Sequence, residues 1–407
     1  MSSNLSQSTP QPIGGVVPWR RPLSLRLLDW LLKDVHAGSL SIKLPSGQRI
    51  DHRGIEAGPG AEITIHRWSM LRRLLSQGHL GFAEGFVAGD FDSPNLAELL
   101  RWAMANERSV SRIWNGTPLA RALAALGHFA RRNSRKGSRR NILAHYDLGN
   151  AFYRQWLDGG MNYSSALFTG DNQTLEDAQA AKNDRIATLL DCRPGDRVLE
   201  IGCGWGALAQ RLTRQGCQVK GLTLSHEQQA FAAARLAGLE PKADIQLQDY
   251  RDEAGAFDRV VSIEMIEAVG EAYWPTYFAT LRQRVKPGGI AVIQAITIAE
   301  DRFAAYRRYP DFIQKHIFPG GMLPTRTIIC EQISQAGLTL RHQEHFGTSY
   351  ARTIAAWRER FLATWPHLQD LGFDTAFRRK WEYYFAYCEV GFETGLLGVG
   401  LYQFTPD

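Results

Sequence analysis

The stretch "VLEIGCGWGAL", Val198–Leu208, decides how this 407-residue chain is read. An apolar run, Val198–Ile201 with Glu200 as its one charge, gives way to glycines at 202, 204 and 206 and then to helix formers. A chain does this where a strand turns sharply and a ligand approaches its backbone. The spacing is G-x-G-x-G, not the G-x-G-x-x-G of dinucleotide folds, and no Lys-Ser/Thr follows to make a P-loop.

Strands and helices alternate around this turn. "RVLEI" precedes a helix from Ala207, "CQVKGLTL" a helix from His226, and "ADIQLQD" a short connection. "FDRVVSIE" precedes a helix over Trp274–Val285, and "KPGG" then leads into "IAVIQAITI". This rhythm predicts an α/β class, doubly wound, with a mostly parallel sheet covered on both faces. Ligands of such sheets bind at the carboxyl ends of the strands. Upstream, "GSLSIKLPSGQRI" and "AEITIHRW" have hairpin chemistry, followed by a helical periodicity that glycines interrupt. The organisation expected is a disordered tail (1–22), a smaller N-terminal α+β domain (23–130), a basic linker (131–141) and the larger domain (142–407).

Composition narrows the class. With 44% hydrophobic and 22% charged residues the chain is ordinary for a globular protein. It holds no apolar run of the roughly 18 residues that span a bilayer. Five cysteines without CxxC spacing suggest neither a disulfide framework nor a zinc site, so no metal is expected and a cytoplasmic location fits best. Much of the net charge of +6 is local. Arg131, Arg132, Arg135, Lys136, Arg139 and Arg140 crowd "ARRNSRKGSRRN", either as a solvated linker or as a contact for an anionic surface. No zinc-finger, RNP or helix-turn-helix signature accompanies them, which excludes nucleic acid as the expected partner.

The glycine turn, "GLTLS" after the second strand, "QDYRD" after the third and Lys286-Pro287-Gly288-Gly289 before the last together resemble class I S-adenosylmethionine (SAM) methyltransferases. That resemblance implies a seven-stranded sheet. It implies cofactor contacts from Glu200, Gly202, Cys203, Gly204 and Gly206. Further contacts fall to Thr223, Leu224, Ser225, Gln228, Asp249, Tyr250 and Arg251. The acidic residue usual at the end of the second strand is absent, leaving Thr223 and Ser225 to bond the ribose by hydroxyl.

A narrower resemblance rests on "HYDLGNAFYRQWLD", "MNYSSALF", "EIGCGWGALA", "SIEMIEAVG", "FIQKHIFPGGMLPT" and the closing "VGLYQF". In this order they resemble the cyclopropane fatty acid synthases and mycolic acid methyltransferases, and the upstream module resembles that family's N-terminal lipid-associated domain. The resemblance implies transfer of a SAM methyl group to a cis double bond in an acyl chain of a membrane phospholipid, peripherally at the inner membrane face, with a homodimer left open. Tyr163 and Ser164 match positions that cover the cofactor, and His145 and Tyr146 either sit over it or cap a helix.

In the family the base is attributed to a bicarbonate held by a cysteine, a glutamate, a histidine, an isoleucine backbone and a tyrosine. Here the glutamate matches Glu267, the isoleucine Ile296 and the tyrosine Tyr350, while Ser165 and Gln294 stand at the cysteine and histidine positions. Ser165 by its hydroxyl and Gln294 by its amide can still bond an oxyanion, though neither titrates near pH 7. Glu267 therefore becomes the more important group, expected to carry or orient the base. Cys388 stands where the family keeps a cysteine sometimes called catalytic, and the aromatic residues around it, Trp381, Tyr383, Tyr384, Phe385 and Tyr387, read mostly as core, with some left as lining for an acyl tunnel. Three functions compete: cyclopropane formation, C-methylation to a methyl-branched unsaturated chain, and non-catalytic binding of SAM or lipid.

Overall fold

The computed structural model describes residues 22–107, 109, 148–241 and 243–407. The expected tail up to residue 21, the basic linker, His145 and Tyr146 lie outside these residues.

The N-terminal sheet is built from β1 (Ala37–Lys43), β2 (Arg49–Arg53), β3 (Glu56–Ile65) and β4 (Phe91–Asp92), in the order β2-β1-β3-β4. β1 and β2 form the expected hairpin, closed where Gly47, at φ +84°, bonds back to the Leu44 carbonyl. Helix Ser69–Val87 bends at Gly78, whose φ and ψ are not helical, which is where the glycines break the periodicity of the sequence.

The second sheet comprises β5 (Arg197–Ile201), β6 (Gln218–Thr223), β7 (Asp244–Leu247), β8 (Phe257–Ile263), β9 (Val285–Ile298), β10 (Leu338–His345) and β11 (Leu397–Pro406). Their order is β10-β11-β9-β8-β5-β6-β7. β5 pairs in parallel with β6 on one side and with β8 on the other, so the direction of winding reverses beside β5. β11 runs antiparallel between β9 and β10. The sheet is thus seven-stranded and mostly parallel. β9 starts earlier than its apolar run suggests, since the "KPGG" stretch joins it through a register shift against β8.

Helix Thr375–Glu393 binds the two sheets into one body. Arg101, from helix Leu96–Ala105, bonds its Glu389 at 2.7 Å and its Glu393 at 2.6 Å, and Arg358 holds Glu389 from the other side at 2.9 Å. Glu84 takes Lys315 at 2.6 Å and His316 at 3.0 Å. Burial works against its charge, but these two bonds win and hold the carboxyl at about 2. On the apolar side of the helix, Trp381 and Phe385 stack among Phe152, Trp156 and Phe361, all buried. The core reading of Trp381 and Phe385 holds. Tyr383, Tyr384 and Tyr387 instead line a chamber described below.

Candidate active site

The carboxyl ends of β5 to β8 frame a cleft. Gly202 and Gly204 turn the chain out of β5 at φ +80° and +52°. A Cβ built at Gly204 meets nothing within 4 Å, so this backbone faces open space. Thr223 ends β6 and Leu224 follows it, Asp249, Tyr250 and Arg251 follow β7, and Glu264 and Met265 follow β8. Glu200, Cys203, Gln228, Tyr163 and Ser164 complete the sequence-derived lining.

Two residues of that set serve the scaffold instead. A Cβ at Gly206 would stand 3.0 Å from the Ala232 Cβ, so Gly206 lets two helices approach each other. Ser225 caps helix His226–Leu236, its hydroxyl accepting from the Gln228 amide at 3.3 Å. The Thr223 hydroxyl donates to the Gln228 side chain at 2.8 Å, so the hydroxyl pair expected at the ribose is engaged within the protein. Arg251 grips the Asp249 carboxylate at 2.8 and 2.6 Å.

The cleft also holds groups that motif matching passed over. Lys182, on helix Leu175–Leu190, is buried and donates to the Ser164 hydroxyl at 3.0 Å. Burial lowers its pKa against the pull of Glu264, Asp158 and Glu200. Burial likewise pushes Glu200 up to about 8, with Lys182 opposing, and one Glu200 oxygen has no protein partner. An orphaned buried carboxyl oxygen beside an open glycine turn leaves an acceptor that a bound cofactor could satisfy, as the SAM resemblance implies. Trp205, inside the glycine turn, ties its indole N–H to Asn150 at 2.6 Å and lines the same cleft.

A second, largely apolar chamber lies behind the first, between the two sheets. It encloses about 2240 Å³ of unfilled space, part of it open to solvent. Its walls include Leu100 and Met104 from the N-terminal part and Ile298, Leu323, Ile354 and Leu397 from the larger one. Cleft and chamber share three residues, Tyr163, Glu264 and Ala268. Tyr163 is fixed by its hydroxyl 3.1 Å from that of Tyr384, and its ring sits among Phe318 and Trp357.

Glu264 is the centre of this shared wall. Its Oε1 accepts the Ser165 backbone N–H at 2.9 Å and the Gln294 amide at 2.6 Å, and its Oε2 accepts the Tyr350 hydroxyl at 2.6 Å. Its φ of +49° lies in the left-handed region, which costs an L-residue on the order of 1–2 kcal/mol. Burial raises its pKa, while the Tyr350, Ser165 and Gln294 bonds and the Lys182 charge work the other way.

Glu267, expected to carry or orient the base, is placed differently. It lines the chamber alone, accepts one bond (Ile296 N–H, 2.5 Å), and its Oε2 has no partner. Burial, and next the Glu264 charge, push it up to about 8. Two buried carboxyls side by side do not both ionise readily, and the one with three donors holds the charge.

Three further expectations are corrected here. Ser165 contributes its backbone amide, because its hydroxyl donates to the Ala166 carbonyl at 2.9 Å. Bicarbonate does not fit: the Ser165, Gln294 and Tyr350 donors are taken by Glu264, and a second anion there would face its carboxylate. Cys388 lies in the chamber wall with its thiol pushed up by burial and by Asp311, which is opposite to what a thiolate needs. Lys182 and Glu264 left no motif signal; for Glu264 its position directly after a central strand was the available clue.

A glycine turn at the switch point of a mostly parallel sheet, opening on a cleft, is the arrangement that the resemblance to SAM-dependent methyltransferases implies. The model of the mycolic acid cyclopropane synthetase family matches residues 133–403, and the chain belongs to this family. It is 41% identical over 359 residues to the tuberculostearic acid methyltransferase of Mycobacterium tuberculosis, covering 84% of this chain and 82% of that protein. It is 36% identical to the cyclopropane-fatty-acyl-phospholipid synthase of Escherichia coli, over 83% and 86% of the two chains. Among solved structures, a mycolic acid cyclopropane synthase complexed with SAH and CTAB superposes with a TM-score of 0.62 at 29% identity, covering 66% of this chain and 98% of that one. The enzyme is a SAM-dependent methyltransferase that adds one carbon to a fatty acid or other lipid. No helix among the described residues is long and apolar enough to cross a membrane.

Proposed function

We propose that this enzyme transfers a methyl-derived carbon to the cis double bond of an unsaturated acyl chain in a membrane phospholipid, forming a cyclopropane ring. The observation that carries this reading is the wall shared by a cofactor cleft and an apolar chamber, with a buried carboxylate and an aromatic ring set into it. Phospholipid as substrate is supported by the E. coli relative, whose likeness extends over most of both chains.

When bound, the cofactor supplies an electrophilic methyl group on a sulfonium. The residues of this chain do the rest. Glu200 offers an acceptor on the cofactor side and the Gly202–Gly204 backbone leaves room for it. The mostly apolar chamber suits an acyl chain, and methylation of an alkene, a poor nucleophile, depends on such alignment and desolvation beside the cofactor cleft. The positive charge that develops on the acyl chain meets the Tyr163 face and the Glu264 carboxylate, both suited to a cation.

A second reading, C-methylation to a methyl-branched unsaturated chain, is favoured by the 41% identity to a tuberculostearic acid methyltransferase. Mass spectrometry combined with ¹H NMR, which distinguishes cyclopropane from olefinic protons, of lipids from a host expressing the protein separates the two. An added CH2 with loss of the double bond supports the ring, and an added CH2 with the double bond retained supports the branch. Unaltered acyl chains overturn both.

A further inference from the structure

We infer that the Glu264 side chain is itself the general base of the reaction, an anion built into the protein where the family resemblance implied a bound bicarbonate. The inference rests on the proposed alkene methylation and holds for either product.

Four observations converge on it. Among the described residues, Glu264 is the sole carboxylate on the wall common to cleft and chamber. Ser165, Gln294 and Tyr350, three of the positions expected to hold an external anion, give their donors to Glu264 instead. The backbone is kept in the left-handed region at this residue, a conformation that persists only where the surroundings over-determine it. Finally, the donors are shared unequally. Oε1 accepts two bonds and is filled, whereas Oε2 accepts Tyr350 alone and keeps a lone pair for a proton.

The step balances without a further reagent. The alkene π pair forms the bond to the methyl carbon, and the pair of the breaking C–S bond stays on sulfur. In the ring-forming reading Glu264 Oε2 then takes a proton from the new methyl group, and the released C–H pair closes onto the cationic carbon. In the branched reading the carboxylate takes a proton from the carbon whose C–H pair forms the new double bond. The proton leaves the Glu264 carboxyl for solvent through the cofactor cleft as product departs.

The test uses the full chain, methyl-labelled SAM and vesicles of unsaturated phospholipid, in CO2-free buffer with and without added bicarbonate. Wild type is expected to turn over equally in both, and a several-fold dependence on bicarbonate overturns the inference. Glu264→Ala, checked for folding by its SAM affinity, is expected to lose about 10²- to 10⁴-fold activity, the range typical of a general base. Added bicarbonate should return at least tenfold of that loss, because the vacated donors suit it. Glu264→Gln, which keeps the space filled, is expected to fall as far without rescue; near-normal turnover by either variant in CO2-free buffer overturns the inference. A readout independent of turnover separates this from failure of the functional reading. In ¹³C NMR, labelled bicarbonate should bind Glu264→Ala and not wild type, whatever lipid is modified. Saturable binding to wild type refutes the built-in anion even in a protein that methylates no alkene.

Discussion

The Tyr350 hydroxyl donates to Glu264 Oε2 at 2.6 Å, and Phe392 stacks on the Tyr350 ring at 4.3 Å to hold it there. A bond to the charged form of an acid lowers its pKa, and such a bond contributes about 1.5–3 kcal/mol. Tyr350→Phe keeps the ring and removes the bond. The acid limb of the kcat/KM profile should therefore move up by about one pH unit or more, with activity recovering at higher pH. An unmoved limb would show that the bond does not tune the base.

Gly204 combines a φ of +52° with an open cleft above it. Gly204→Val strains the turn and puts a branched side chain where the cofactor approaches. Calorimetry should show SAM binding weakened by at least about tenfold, equivalent to about 1.4 kcal/mol. Unaltered affinity in a folded variant would remove the turn from the cofactor site.

How far the sequence carried depends on the kind of signal. The sheet was legible because alternating apolar runs and glycine turns are local patterns, and the cleft residues at strand ends followed from topology. Gly206 and Ser225 carry scaffold roles, packing against Ala232 and capping a helix, that select the same residue types as ligand contacts do. Glu264 escaped because its meaning lies in three partners from distant segments, Ser165, Gln294 and Tyr350. Motif matching pointed instead to Glu267, three residues on, whose isolation appears only once burial is known.

Glu267 makes stability depend on pH in a stated direction. Its folded pKa of about 8 stands above the ordinary 4.5, so between these values the folded state binds more protons than the unfolded one. Stability is then full below about 4.5 and lost as pH rises through about 8. Glu267→Gln should flatten this fall in thermal unfolding without abolishing it, because Glu200 is also raised to about 8. A slope identical to wild type would show that Glu267 is ionised in the folded protein.

The basic stretch is tested at the membrane. If Arg131, Arg135, Arg139 and Arg140 meet anionic lipid, each contributes on the order of 1 kcal/mol, screened by salt. Changing all four to Gln should weaken cosedimentation with anionic vesicles at low salt and leave neutral vesicles unaffected. Equal binding to anionic vesicles supports the solvated-linker reading.

Glu264→Gln and Glu267→Gln, assayed side by side for transfer of labelled methyl into phospholipid acyl chains, test the account most directly. Glu264→Gln removes the charge that three donors hold in the shared wall, and should lose at least about 100-fold with little change in SAM affinity. Glu267→Gln replaces a carboxyl that burial and the Glu264 charge push up to about 8, and should stay within about tenfold of wild type. The reverse order, collapse of Glu267→Gln with near-normal turnover by Glu264→Gln, would contradict it.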